Sequence, residues 1–536
     1  MNTSALSRAA LALASLSVFL HAAPAVVKLH DFDNTDPLGN PGPEKPQAAP
    51  LLIGSKLWFT TESGGDFGFG TLCSYNLDNG ALDVLMSFDN DTGNTPKSAP
   101  RQVGNLLYFT TSRGGEAGIG DRGGLGVWNM DTGSYELLWT SPATEDETTG
   151  ITPPNGSWGE PGIIDRGGAL GQDIYIACYY NGSGGNGGIY RYQTDDGSST
   201  LIHEFQGIPG DGAKPYRGFT VVGTDLYFTT FNGGNDDNGF LSSGNGILGR
   251  IDASVRGAET VTTVAEMGDI KEEGLPGNNP YYRAADHSLY FTTVRNALMK
   301  YDISRDTLTR LLTWDSSLGG NTYSNVVEWD NWLYFGGISG GEHSSGTIAR
   351  YHLVTGAHEV ILDFDRSNDT IEPNMGRQLY GGFTFNEDPL DPAFYLLPKT
   401  GGDHNHGTIL RIDLDLPATP SPYENWLAQF DTTGVDTTLG ADPDHDGRDN
   451  RTEFAYGSSP VDGGDGNGFS LASEGGSLEI RWTALSGSGV SYLVTGSPTL
   501  GAAPSPWTPV AGTQEIMAVP DVSVPSGYER RRMTLP

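Results

Sequence analysis

The sequence predicts an all-β chain organised as a seven-bladed β-propeller, and three observations carry that prediction. One apolar and aromatic phrase recurs seven times, each copy is followed by further short strand patterns, and the two ends of the array complement each other. The phrase reads LWFTT at 57–61, LYFTT at 107–111, IYIAC at 174–178, LYFTT at 226–230 and 289–293, LYFGG at 333–337 and FYLLP at 394–398. Its mean interval is about 56 residues, longer than the ~40–50 of common propeller repeats, as extended loops require.

Each phrase is a strand because it is apolar and aromatic. A second strand follows after a Gly-rich loop: 70–78, 123–131, 187–195, 245–252, 296–302, 346–353 and 407–415. Turns such as Asp78-Asn79-Gly80 and Asp131-Thr132-Gly133 are hairpin signals. They lead into a third strand, for example 81–89, 135–140 and 358–365. A short strand also precedes each phrase, as at 50–54, 100–104 and 219–223. Four antiparallel strands per repeat make a propeller blade. The seventh repeat stops at Asp415 without its outer strand, while Val26 to Asp33 reads like the outer strands ending SFD (87–89) and DFD (363–365). The N-terminal strand is therefore expected beside 407–413, closing the ring and removing exposed edges. The competing architecture, a β-solenoid, would not need complementary ends.

Composition agrees with many short strands. In 536 residues there are 76 Gly and 32 Pro, with 36% hydrophobic and 10% aromatic residues, which is turn-dense yet able to fold into two or three units. The formal charge of −35 argues against nucleic acid, since a polyanion would meet repulsion. The N-terminus reads as a bacterial secretory signal over 1–25, with Arg8, an apolar run at 9–20 and Ala23-Pro24-Ala25 as the cleavage site. That run is short of the ~20 residues a spanning helix needs, and no later segment reads as one. Cys73 and Cys178 lie on different repeats and are expected as buried thiols.

The segment GDGAKPYRGFTVVGTDLYFTTFNGG (210–234), followed by GNGILGRID (244–252), resembles the Gly-rich tandem repeat called GloVer, found in large secreted bacterial proteins. The usual form of that repeat is close to DGxxPxxxLxxGxDGxLYGTTxxGGxxGxGTVFxL. The resemblance covers residues 26–415 and is strongest in repeats one, two and four. It departs in having Phe for Gly within LYGTT, and in repeat five, which passes from Thr293 through Val294, Arg295 and Asn296 without a Gly-rich loop. It implies architecture and export, and carries no catalytic motif.

Residues 416–465 form a Pro-rich linker with a short helix expected from Tyr423 to Phe430, followed by an acidic loop. Asp442, Asp444, Asp446, Gly447, Arg448, Asn450 and Glu453 match the twelve-residue pattern D-x-[DN]-x-[DN]-G-x5-E. Carboxylates at alternating positions converge on one cation, Gly447 permits the sharp turn, Arg448 offers its carbonyl and Glu453 both oxygens, so calcium is the expected ion. An acidic surface turn is the bland alternative. The loop looks like the single, dockerin-like EF-hand loops of calcium-stapled spacers. Residues 466–536 are expected as a small C-terminal β-sandwich-like domain, with strands at 477–485 and 490–497 and an attachment or spacing role. It resembles the β-region that follows such acidic loops in secreted bacterial proteins.

The loops entering the innermost strands hold much of the scarce positive charge. Lys97, Arg101, Lys214, Arg217, Arg283 and Arg377, with Tyr216, Tyr281 and Tyr282, form the candidate ligand site, suited to an anionic sugar. The alternative is that these groups balance neighbouring Asp and Glu. His343, His404 and His406 lie in loops of repeats six and seven, where a metal site or a general base is conceivable and simple solvation is the bland reading. The leading functional expectation is a secreted or surface-associated, monomeric protein that binds an extracellular glycan or cell-surface component without catalysis. A lyase of uronate polymers and a structural surface-layer module are the alternatives.

Overall fold

The computed structural model describes residues 24–33, 41–115, 122–142, 159–180, 184–234, 244–268, 274–365, 374–386 and 391–414, then 422–427 and 441–464, and the strands 469–474, 477–485, 495–496, 508–509, 514–516 and 528–535, with a few single positions besides. The signal segment expected at 1–25 lies outside them except for its last two residues, as do linker residues 416–421. Of the strand expected at 490–497 only Thr495–Gly496 is described. The chain divides into two compact units, Met1–Asn386 with Ala393–Asp415, and Glu387–Pro392 with Leu416–Pro536.

The first unit is a seven-bladed propeller of antiparallel sheets. Blade 1 shows the pattern. Its innermost strand comes in two segments, Pro43–Pro46 and Leu51–Ile53, followed outward by Lys56–Gly64, Thr71–Asn76 and Leu82–Ser87. Blade 7 is assembled from both ends of the array: Phe383–Asn386, Ala393–Leu396 and Thr408–Asp413 are completed by Ala25–Asp31. The closing pair runs antiparallel, Ala25 opposite Asp413 and Asp31 opposite Thr408, with a bulge between Lys28 and His30. The ring therefore closes through the N-terminal strand, as the strand count requires.

The recurring phrase is apolar throughout because its strand is buried on both faces. In blade 3, Ile174, Ile176 and Cys178 pack towards blade 2, while Tyr175 and Ala177 pack towards blade 4. Successive side chains of a strand point to opposite faces, so one phrase serves two interfaces. Seven hydrophobic clusters result, one for each pair of neighbouring blades. The aromatic residue ending an outer strand packs on the Phe of the next blade's phrase: Phe32 on Phe59 at 5.8 Å, Phe88 on Phe109 at 5.7 Å and Phe205 on Phe228 at 5.8 Å between centroids. Burying one such side chain contributes roughly 1.5–3 kcal/mol.

The phrase's hydroxyls are equally specific. The first Thr donates across the blade interface: Thr60 to the Ser98 carbonyl and Thr229 to the Asn278 carbonyl, each at 2.9 Å. The second Thr caps the start of the following strand, as Thr230 does by accepting the Ile247 N–H at 3.1 Å. In five blades the phrase's Tyr lies opposite a basic residue of the next strand: Tyr175 and Arg191, Tyr227 and Arg250, Tyr290 and Lys300, Tyr334 and Arg350, Tyr395 and Arg411. Both cysteines are free and buried, and burial pushes each thiol up to about 12.

In the second unit, two short helices, Pro422–Leu427 and Asn450–Tyr456, flank the acidic loop. Trp426, Tyr423 and Phe454 pack together, and the Trp426 indole donates to the Ser458 carbonyl at 3.1 Å. Strands Phe469–Glu474, Ser477–Leu485, Tyr528–Leu535 and Gln514–Ile516 form a four-stranded antiparallel sheet.

Candidate functional site

One end of the ring is built by the Gly-rich loops together with the points where innermost strands begin. At each of five such points one residue has positive φ: Lys45 (57°), Thr95 (54°), Lys214 (59°), Leu275 (62°) and Gln378 (62°). Its N–H donates to the preceding blade's loop, at His406, Phe69, Asn186, Asn245 and Ser345. In four of them a Pro follows and its Cδ rests on the glycine closing that loop, Gly407, Gly70, Gly187 or Gly246, where a Cβ would come within 2.9 Å. These contacts tie each of those five entering segments to the loop of the preceding blade.

Two repeat positions face the mouth inside those loops. The residue after the entering Pro, or its equivalent, is Gln47, Lys97, Tyr216, Gly277, Tyr323 and Tyr380 among the described residues. The residue just past the recurring phrase includes Glu62, Tyr179, Phe231 and Lys399. Blades 7, 1 and 2 thereby form a cationic sector. The Glu62 carboxylate pairs with Lys97 at 3.3 Å and with Lys399, and Lys45 and Arg113 line the same pocket of about 530 Å3. Burial would raise Glu62, but Lys399 and Lys97 outweigh it and hold its carboxyl below the usual range. Burial pushes the Lys97 amine down, opposed by Glu62 and reinforced by Lys399.

Blades 3, 4, 6 and 7 form an aromatic sector. Tyr216 meets Tyr323 at 5.4 Å above Gly277, which supplies no side chain at the intervening position. Tyr323 stacks on Tyr380 at 5.7 Å with planes 18° apart, and Tyr216 contacts Tyr179, which contacts Tyr180. Lys399 lies 4.9 Å from the Tyr380 centroid, and Lys214 lies 3.9 Å from that of Tyr180. Burial pushes the Lys214 amine down to about 8, and it donates to the Gly185 carbonyl. Burial, reinforced by Tyr216 and Tyr380, pushes the Tyr323 phenol up to about 12.

Below this mouth Arg217 and close backbone contacts fill the axis among the described residues. Arg217, 9% exposed, crosses it, donating from Nη2 to the Tyr380 carbonyl at 2.7 Å and from Nε to the Gly277 carbonyl at 3.4 Å. Gly159, Gly218 and Gly381 sit against neighbouring backbone with no room for a Cβ. The described strands leave a void of about 30 Å3, enough for roughly one water.

The nine residues singled out from sequence do not share one pocket. Lys97, Lys214, Tyr216 and Arg377 are at the loop face, Arg377 beside its own pocket and donating to Asn405 at 2.7 Å. Arg217 fills the axis. Arg101, Tyr281, Tyr282 and Arg283 are at the opposite end, where the innermost strand turns back: Arg101 lies opposite Tyr108 and Arg283 opposite Ser288. The reason is strand rise. Four residues separate Lys97 from Arg101, so ~13 Å of ring thickness lies between them. There Arg101 pairs with Glu160, and Arg283 Nε donates to both Glu328 carboxylate oxygens at 2.9 Å, so these cations are balanced by carboxylates. Tyr282 bonds the His287 ring at 2.9 Å.

Lys45, Glu62, Arg113, Lys399, Tyr179, Tyr180, Tyr323 and Tyr380 were missed by the sequence reading. Aligning the repeats on the phrase would have placed most of them, because they recur at fixed offsets from it. His343 pairs with Asp365 at 3.3 Å and His406 with Glu44 at 3.4 Å. Among the described residues neither these nor His404 joins a group of three metal-ligating side chains.

That grouping occurs in the acidic loop, where ligand atoms of Asp442, Asp444 and Asp446 lie within 4.8 Å of one another. His445 (φ 61°) and Gly447 (φ 91°) make the turn, and the Gly447 N–H donates to Asp442 at 3.1 Å. Asp442 Oδ1 and Asp444 Oδ2 are buried and accept no hydrogen bond. Burial first, then Asp446 and Asp442, holds the Asp444 carboxyl above the usual range. Asn450 and Glu453 are fully buried on the helix that follows, and Arg448 Nε donates to Asp446 at 2.7 Å. A hard, all-oxygen donor set with buried oxygens that accept no hydrogen bond fits a calcium ion.

No protein-family model matches the chain, and no curated protein matches it either. Many solved structures are similar, among them the following two. One is the extracellular domain of a hybrid two-component system from B. thetaiotaomicron, with TM-score 0.41 and 14% identity, covering 69% of this chain and 40% of that one. This chain thus spans less than half the length of that protein. The other is an oligogalacturonate lyase in complex with manganese, with TM-score 0.42 and 11% identity, covering 74% of this chain and 99% of that one.

Proposed function

We propose that this chain is an exported, non-catalytic propeller that binds an anionic extracellular ligand at its loop face. One observation carries the reading: in a chain of net charge −35, Lys45, Lys97, Arg113 and Lys399 line one pocket with Glu62, the one carboxylate among its described lining residues. A local positive patch in a negative field concentrates anions there and repels them elsewhere. The repeat's resemblance to Gly-rich tandem repeats of secreted bacterial proteins and the apolar N-terminal run support export. Among the described residues no helix is long and apolar enough to cross a membrane. A calcium ion held by Asp442, Asp444, Asp446, Asn450, Glu453 and the Arg448 carbonyl would brace the second unit.

A glycan array of sulfated, uronate and neutral polymers tests this. The parent should prefer anionic polymers, and Lys97→Met with Lys399→Met should weaken binding roughly ten-fold or more. Preference for neutral polymers, or anionic binding untouched by the double substitution, overturns it. A second reading, a lyase of uronate polymers, is favoured by Lys214, an amine pushed down to about 8 beside Tyr180, which suits a general base. Appearance of an ultraviolet-absorbing unsaturated product on incubation with uronate polymers would select it.

A further inference from the structure

The aromatic sector has a geometry that charge balance does not explain. Tyr180, Tyr179, Tyr216, Tyr323 and Tyr380 form a path of ring contacts with centroid steps of 4.6, 5.9, 5.4 and 5.7 Å, the first two edge to face, the third tilted and the last, Tyr323 to Tyr380, near-parallel at 18°. The path crosses the mouth from blade 3 to blade 7, and a lysine stands over each end: Lys214 over Tyr180, Lys399 over Tyr380. Tyr216 is buried beneath, while Tyr179, Tyr180, Tyr323 and Tyr380 are half-buried. Lys399 belongs at once to the path and to the cationic pocket, because it also pairs with Glu62.

We infer that the tyrosine path is a run of stacking subsites, and that the ligand is an oligomeric uronate chain laid across the funnel mouth rather than a small anion held in the cationic pocket alone. The inference rests on the anionic-ligand reading and adds length and ring stacking to it. A tyrosine offers an apolar face and a polar edge, the combination a pyranose ring of alternating C–H face and hydroxyl rim requires. Lysines at the two ends match a polymer that repeats its carboxylate. Arg217 bridges Gly277 and Tyr380 across the axis below the path, which favours a chain lying across the mouth over one threaded through it. Each added ring binds without a fresh loss of translational freedom, so affinity must climb with length until the path is filled.

Calorimetry on the full chain with galacturonate and mannuronate oligomers of one, two, four and six residues, with inorganic sulfate and with an oligodeoxythymidylate, tests the inference. The parent should bind the tetramer at least roughly ten-fold more tightly than the monomer, with little gain beyond the length that fills the path. Tyr323→Ala with Tyr380→Ala should abolish the gain of the tetramer over the monomer, while Tyr323→Phe with Tyr380→Phe keeps the length dependence. Equal affinity for monomer and tetramer in the parent, which needs no variant, overturns the inference and leaves the anionic pocket standing. Tetramer binding unchanged in the alanine variant overturns it in the same way. Tighter binding of the oligodeoxythymidylate than of any uronate assigns the path to bases and overturns it. Binding of no anion at all overturns this inference and the proposed function together.

Discussion

At the residue scale, the threonines of the recurring phrase do two separate jobs, and the distinction predicts what each substitution costs. Thr229 is buried and its hydroxyl donates to the Asn278 carbonyl of the next blade at 2.9 Å. Thr229→Val keeps the shape and removes the donor, so the buried carbonyl loses its partner and the ring should lose about 1–3 kcal/mol. A urea unfolding midpoint equal to the parent's would show that the inter-blade bond is not needed. Blades 3, 6 and 7 replace both threonines, by Ala177 and Cys178, by Gly336 and Gly337 and by Leu397 and Pro398, and in blade 3 Cys178 faces Ser141 at 3.9 Å, so the inter-blade bond of the phrase belongs to the other four blades. The phrase itself was legible because its residues are contiguous. The cationic sector was not, since Lys45 and Lys399 lie on blades 1 and 7 and meet only when the ring closes. Arg217 was legible as a basic residue in an entering strand and illegible as the plug of the axis, because its partners are carbonyls, which every sequence offers.

At the element scale, the N-terminal strand is read from sequence by the missing fourth strand of blade 7, and the acidic loop by carboxylates at alternating positions. The strand's Phe32 is 1% exposed in the cluster shared with Leu57, Phe59 and Tyr395, and its N–H donates to the Gly407 carbonyl at 3.1 Å. Deleting residues 26–33 exposes the Thr408–Asp413 edge and empties that cluster, so the melting temperature should fall by more than roughly 5 °C. A truncated chain that melts with the parent would mean closure adds nothing to stability. For the loop, calorimetry should detect calcium binding that Asp444→Ala with Glu453→Ala abolishes, because the remaining oxygens cannot complete a six-to-eight-ligand shell. No calcium-dependent heat in the parent would reduce the loop to an acidic turn. The innermost strands were where element reading misled. Their length was underestimated: in blades 1, 2 and 4 each comes in two segments, with Arg101 on the second of blade 2, and in blade 5 Arg283 ends the strand, so both arginines fall at the end of the ring away from the Gly-rich loops.

At the scale of the whole molecule, a net charge of −35 and a local cationic sector act over different distances, and this separates approach from retention. A polyanion far from the surface meets the total charge, while one already seated meets lysines such as Lys97 and Lys399. The Debye length falls from ~30 Å at 0.01 M salt to ~8 Å at 0.15 M, so added salt removes the long-range repulsion first and reaches the short contacts less. The association rate for a hexameric uronate should therefore rise several-fold over that range, and the dissociation rate should rise more gently as the lysine contacts weaken. Affinity then passes through a maximum at intermediate salt. Proteins that recognise polyanions through a net positive surface do the reverse, losing association rate from the lowest salt upward. Stopped-flow measurement at five salt concentrations distinguishes the two. An association rate that falls monotonically would show that the field outside the mouth is already positive at long range, and that the cationic sector, not the acidic surface of the chain, governs approach.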